Sequence, residues 1–313
     1  MFHKNKLYWA LVIIIAFVCI QTLVSLNILN EVYKTVLINI GINILLAISL
    51  NLIIGITGQF SLGHAGFVAI GAYAYGVVNK SIGGPYAIYI GMAVAMGICA
   101  VVAFAVALPT LRLKGDYLAI ATLGFGEVIR IVIQNLKITN GASGMVIPKS
   151  VDWPLVFIVL AASTLMLLNF TRSAYGRACI SIREDEIASE MMGIALTKYK
   201  VLAFVLGAVI ASLGGVLYAG SFYIIKPEIF NFNKSIDILV IVVFGGMGSF
   251  TGSYIAAFVI GILNTILQNF AGIRTILYGV LLVLIMIFRP KGLLGTVEFS
   301  FANLQKSRKE GRL

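Results

Sequence analysis

The feature that most constrains this chain is a succession of apolar segments whose lengths approach the thickness of a bilayer. Ten can be drawn, at about residues 7–26, 36–54, 62–78, 86–108, 117–136, 153–170, 201–221, 236–247, 254–270 and 275–289. Roughly 20 apolar residues in a helix cross the ~30 Å hydrocarbon core. Of 313 residues, 60% are apolar and only 11% charged, whereas a soluble domain carries about 25% charged residues; the mean hydropathy is +1.02. A soluble fold could not hide so much apolar surface. The expected fold class is therefore all-α, a polytopic membrane protein with about ten transmembrane or broken helices. Disorder, a coiled coil, a collagen-like chain and a secreted disulfide scaffold are excluded on the same grounds. Cys19 and Cys99 fall inside apolar runs and Cys179 beside charges. An odd count without CxxC spacing suggests neither a disulfide framework nor a metal site.

The formal charge of +11 has no basic stretch interleaved with aromatics to suggest nucleic acid. Its distribution across the segments is more informative. With the N-terminus inside, fifteen Lys and Arg residues fall in inner connections and tails and seven in outer ones, with Arg130 inside a span. Translocation disfavours basic loops, so both termini are expected in the cytoplasm. Lys4 and Lys6 before the apolar stretch Leu7–Cys19 resemble a signal peptide, but no small-x-small cleavage pair follows and the run continues to Leu26. It is read as an uncleaved first span.

Two glycine-rich interruptions stand out. The segment at 236–247 is too short for a straight span and runs into Gly245-Gly246-Met247-Gly248-Ser249-Phe250-Thr251-Gly252; Gly58-Gln59-Phe60-Ser61-Leu62-Gly63-His64-Ala65-Gly66 separates the second and third segments. Non-helical backbone at membrane depth persists only where protein or an aqueous cavity satisfies its amides, and transporters use such breaks to build pathways. Other glycines, such as Gly71, Gly76, Gly207, Gly214 and Gly215, are expected to let helices approach closely. His64 has only His3 as a companion histidine, so a hydrogen-bonded role inside the break is expected rather than a metal site. Asp116, Glu127 and Arg130 occupy the fifth segment. Charge there faces protein or water, and the three-residue spacing of Glu127 and Arg130 lets them pair; a structural pair and a pathway role both remain open.

The 171–200 connection is the longest predicted inner loop. It reads as one short helix ending at Gly193, with acidic residues in its first turns and an apolar stripe of Ile187, Met191, Met192 and Ile194. Such a helix suits docking onto a partner. The chain contains no G-x-x-x-x-G-K-[ST], no H-E-x-x-H and no paired carboxylates in a predicted cavity, so it is expected not to be an enzyme and to take its energy from elsewhere.

Four blocks in order carry a family likeness. Gly58-Gln59-Phe60-Ser61-Leu62-Gly63-His64-Ala65-Gly66-Phe67 precedes Gly71-Ala72-Tyr73, and Leu111-Arg112-Leu113-Lys114-Gly115-Asp116-Tyr117 precedes Thr122-Leu123-Gly124-Phe125-Gly126-Glu127. Thr139-Asn140-Gly141-Ala142-Ser143-Gly144 follows, which displaces a reading of Gly141–Gly144 as the GxSG of intramembrane serine proteases. Then come Tyr175-Gly176-Arg177 and Ile182-Arg183-Glu184-Asp185-Glu186-Ile187-Ala188 with Gly193. Over about residues 36–295 the chain resembles the permeases of branched-chain amino acid ABC importers, and the M-type subunit rather than its H-type partner.

The resemblance implies a multi-pass subunit of the bacterial inner membrane with the ABC importer permease fold. It would pair with an H-type permease, two cytoplasmic ATPases and an extracytoplasmic solute-binding protein, with ATP used by the ATPases and no cofactor bound here. Residues 1–35 would form an N-terminal span and outer loop, 36–295 the permease core and 296–313 a basic cytoplasmic tail. It further implies a translocation path at Gln59, Ser61, Gly63, His64, Gly66, Thr122, Gly126, Glu127, Gly245, Gly246, Gly248 and Ser249. ATPase coupling would fall to Arg177, Arg183, Glu184, Asp185, Glu186, Ala188 and Gly193, although the importer signature E-A-A is degenerate here as Glu186-Ile187-Ala188. Urea and short-amide permeases share much of this pattern. A secondary transporter driven by an ion gradient and a non-transporting assembly subunit are further readings.

Overall fold

The structure is a computed structural model that describes residues 30–113 and 115–266, together with residues 21, 22, 279, 280, 283, 292 and 295. The predicted segments at 7–26 and 275–289 and the basic tail lie outside the described residues, apart from those few positions. Ten α-helices occupy the described residues. α1 (Glu31–Asn51) runs into a π-helical turn at Leu52–Ile56, and α2 (His64–Ile82) and α3 (Ala87–Thr110) follow. α4 spans Asp116–Asn135 and α5 Trp153–Arg172. Two short helices, α6 (Ala174–Glu184) and α7 (Glu186–Met191), lead to α8 (Leu196–Ser221). α9 (Phe232–Gly245) and α10 (Phe250–Ile266) complete the set.

Among the described residues, four stretches are long and apolar enough to cross a bilayer: Glu31–Ile56, Ala87–Thr110, Trp153–Arg172 and Leu196–Ser221. Of their apolar windows, 83% and 67% are buried in the first and last but only 39% and 28% in the middle two. α1 and α8 are thus central, and α3 and α5 turn apolar side chains such as Val101, Phe104 and Leu165 outward. In lipid, burying these tails gives no preference for helix contact, so close backbone approach must hold the centre together. Glycine provides it: a Cβ on Gly71 would collide with the Ser212 carbonyl of α8, and one on Gly215 with the Val68 carbonyl of α2. Gly207 and Gly214 abut Ile53 and Leu46 of the α1 segment in the same way.

The connections gather at two ends of this bundle. At one, β1 (Met145–Val146) pairs antiparallel with β2 (Ile224–Ile225), Met145 opposite Ile225, a two-residue ribbon that the sequence reading lacked. Ser150 N and Val151 N donate to Gly220 O at the C-terminal end of α8. At the other end the Leu52–Gly63 turn and the α6–α7 segment meet the start of α8, where Gln59 Nε2 donates to Lys200 O (3.1 Å).

Two expectations are corrected. The 171–200 connection holds two helices, because Asp185 is extended (φ −156°) and its carboxylate accepts from Ala188 N (3.0 Å), capping α7 and ending α6. The acidic run therefore straddles a break: Glu184 closes α6 and Glu186 opens α7. Asp116 is exposed at the first position of α4, after Gly115 at φ 57°, so of the three charges named in that segment only Glu127 and Arg130 lie within the helix body.

Candidate functional site

The first interruption begins inside α1. Its last regular turn widens into the π turn, and the chain leaves the helix at Thr57 and Gly58 (φ 70°). π turns leave backbone groups without regular helical partners and recur at functional positions. Here Asn51, fully buried on α1, ties this turn to the second interruption. Its Oδ1 accepts from Gly248 N (2.8 Å), and its Nδ2 donates to Ser249 O (2.8 Å) and Ser253 Oγ (2.9 Å). Gly246 (φ 113°) and Gly248 (φ 93°) adopt backbone that other residues rarely tolerate, and a Cβ on Gly245 would lie 2.5 Å from Gly252 across the turn. Gly55 leaves no space for a side chain between Asn51 Oδ1 and Gly248 N.

The rest of the first turn is buried and heavily bonded. Leu62 N donates to Thr122 Oγ1 (3.1 Å) on α4, and Ala65 N to Ser235 Oγ (3.0 Å) on α9. His64 Nε2 lies 2.9 Å from Ser49 Oγ on α1, the hydrogen-bonded role expected of it. Gly63 meets the Thr122 carbonyl, and Gly66 lies 3.0 Å from Gly126 Cα by its would-be Cβ. Among the described residues, three buried atoms here have no hydrogen-bond partner: Gln59 Oε1, Ser61 Oγ and His64 Nδ1. Each such atom costs about 1–3 kcal/mol relative to a satisfied one.

A small, narrow cleft opens beside this turn. Leu62, Ala65 and Gly66 form one wall, Gly126 and Glu127 of α4 a second, and Phe230, Phe232 and Ser235 a third. Glu127 Oε2 pairs with Arg130 Nε (2.7 Å), both side chains about a quarter exposed, and Arg130 Nη1 reaches Gln134 Oε1 (3.4 Å). The pairing foreseen from spacing is present, and it also borders the cleft.

Gly63, His64, Gly66, Thr122, Gly126 and Glu127 thus surround one region, whereas Gly248 and Ser249 pack instead on Asn51 and Gly55, Gly245 on Gly252 and Gly246 on Gly292. Asn51, Ser49, Ser235 and Phe230 were missed. Ser49 and Asn51 were visible as polar residues in the mostly apolar 36–54 segment, as were Asn39 and Asn43.

The α6–α7 segment divides its residues between two roles. Arg183 Nη1 donates to Gly55 O (2.7 Å), and Lys200 Nζ pairs with Glu186 Oε1 (2.5 Å). Both point into the bundle. Outward stand Ile187, Met191 and Met192, at 73%, 85% and 82% exposure, along with Arg177, Glu184, Ala188 and Gly193 (φ 83°). Cys179 is buried beneath α6, and burial pushes its thiol up to about 11.

Residues 32–289 match the family described as "Branched-chain amino acid transport system / permease component", and the chain belongs to it. It is 34% identical over 259 residues to the high-affinity branched-chain amino acid transport system permease protein LivM of Salmonella typhimurium, and 33% over 259 residues to LivM of Escherichia coli K12. Each match covers 71% of this chain and 60% of the relative's length. LivH of Escherichia coli K12 is 28% identical over 161 residues, 51% of either chain. No solved structure matches it. Family and apolar helices together make the chain a multi-pass membrane protein of this permease family, and it spans about 60% of the length of the LivM relatives it matches.

Proposed function

We propose that this chain is a permease subunit of an ATP-driven importer for branched-chain amino acids, set in a bacterial inner membrane with both termini cytoplasmic. The carrying observation is the family match over 32–289, which spans both buried turns, the cleft and the α6–α7 segment. A second permease of the LivH type, two ATPases and an extracytoplasmic binding protein complete the machine; ATP is consumed by the ATPases, and this chain binds no cofactor. The charge bias supports the orientation, since the turn at 52–63 and the α6–α7 segment share the end that the basic residues assign to the cytoplasm.

In this reading the solute passes beside the cleft as it widens during transport, with Phe232 meeting an apolar side chain and Glu127 facing the ammonium. α7 docks on the ATPase through Ile187, Met191 and Met192. The experiment is co-purification from cells expressing this chain with its neighbouring transport genes. The tagged chain recovers the second permease and the ATPase, and Ile187→Asp with Met191→Asp loses the ATPase alone, leaving the chain's stability within about 0.5 kcal/mol because both sites are exposed. Recovery of neither partner contradicts the assignment.

A further inference from the structure

The coupling role inferred from sequence placed Arg183 among residues facing an ATPase, but its side chain runs the other way. Only 26% of it is exposed. Nη1 donates to Gly55 O (2.7 Å), while Nε (3.1 Å) and Nη2 (2.5 Å) both donate to Glu184 Oε1. The guanidinium is therefore clamped between a carboxylate on its own segment and a backbone carbonyl of the π turn. Its surroundings are built for it. A Cβ on Gly58 would lie 3.1 Å from Arg183 Cγ, and one on Gly248 would lie 3.0 Å from Nη1. Glycines of both interruptions thus flank one side chain.

The connections beyond it are equally direct. Gly55 packs against Asn51 and Gly248, and Asn51 holds Gly248 N and Ser249 O. On the outer side, Arg183 lies two residues before Asp185, the extended residue that separates α6 from the exposed α7. A second strand of the linkage runs from Glu186 to Lys200 Nζ, and from the Lys200 carbonyl to Gln59. Packed networks of this kind carry displacement because they do not deform continuously.

We propose that Arg183 is a positioning residue that couples movement of α7 to both buried turns, rather than a contact for the ATPase. This rests on the permease reading above for what moves α7, but the clamp itself is a property of the chain. Two measurements separate the two claims. In vesicles holding the complete importer, Arg183→Gln lowers the number of leucine molecules imported per ATP hydrolysed at least tenfold; an unchanged ratio overturns the proposal. In the purified chain, with Cys19, Cys99 and Cys179 changed to Ser and Thr57→Cys placed in the first turn, where Thr57 is 2% exposed, Arg183→Gln speeds maleimide labelling at least fivefold. An unchanged labelling rate also overturns it. Should Arg183→Gln fail to accumulate, Arg183→Met keeps the stem and removes the donors, and carries both measurements with the same expected changes. A wild-type complex that couples no uptake to ATP refutes the permease reading, while the labelling result still decides the clamp.

Discussion

Replacing Asn51 with Leu isolates the hydrogen bonds that join the two interruptions. The side chain is 0% exposed, and the substitution removes three bonds at 2.8, 2.8 and 2.9 Å. Their losses are unequal. Ser249 O retains Ser253 N (3.2 Å), and Ser253 Oγ still donates to Ser249 O (3.2 Å), so each of those two bonds costs only the net value of a membrane side-chain hydrogen bond, about 0.6 kcal/mol. Gly248 N donates to Asn51 alone among the described partners. Orphaning it costs about 1–3 kcal/mol. The sum is about 2–4 kcal/mol, read as the shift in unfolding free energy of the purified chain titrated with sodium dodecyl sulfate. Leu leaves no room for water beside Gly55, which crowds Asn51 Oδ1, so Asn51→Ala should cost less than Asn51→Leu. A shift below about 0.5 kcal/mol for Asn51→Leu would refute the claim that this residue holds the turns together.

Two further predictions concern packing and ionisation. Gly71→Ala forces a methyl into the Ser212 carbonyl and should lower stability by more than about 2 kcal/mol, toward the upper part of the overpacking range. Gly97→Ala, with nothing within 4 Å of its Cβ, should raise stability by up to about 1 kcal/mol through helix propensity; equal effects at the two sites would contradict the close α2–α8 approach. The Cys179 thiol, raised by burial from 9.0 to about 11, should be alkylated at pH 8 roughly 100-fold more slowly than an exposed thiol, since the thiolate is the nucleophile. Because its folded value is the higher one, its contribution to stability is complete below pH 9 and is lost as pH rises toward 11. Rapid native labelling at pH 8 would show that the site is open.

Much of the scaffold was legible because membrane helices announce themselves by length and apolarity. The 86–108 and 153–170 segments match α3 and α5 to within two residues at each end. Glycine spacing foretold close approach, and Gly71 and Gly215 deliver it. The break near Asp185 was not legible, because a helix-compatible acidic run gives no sign that one of its carboxylates will cap a new helix. Nor could spacing reveal that Arg183 turns inward: its partner Gly55 is 128 residues away. Asn51 was missed for the opposite reason. It sat within a mostly apolar run and was read as part of it, although a fully buried Asn at that depth needs partners and finds three. The pathway glycines at 245–248 were grouped with those at 58–66 by composition, and the structure joins them through Asn51 and Arg183 rather than around the cleft.

The central claim is that this chain passes branched-chain amino acids by movements that ATPase partners drive. Its most direct test is solute uptake by vesicles containing the chain with its co-purifying partners, with and without ATP, in the presence of the cognate binding protein, offering leucine, isoleucine, valine and urea. Leucine uptake that requires both ATP and the binding protein is the predicted result. Uptake of urea alone, or flux driven by an ion gradient without ATP, would contradict it.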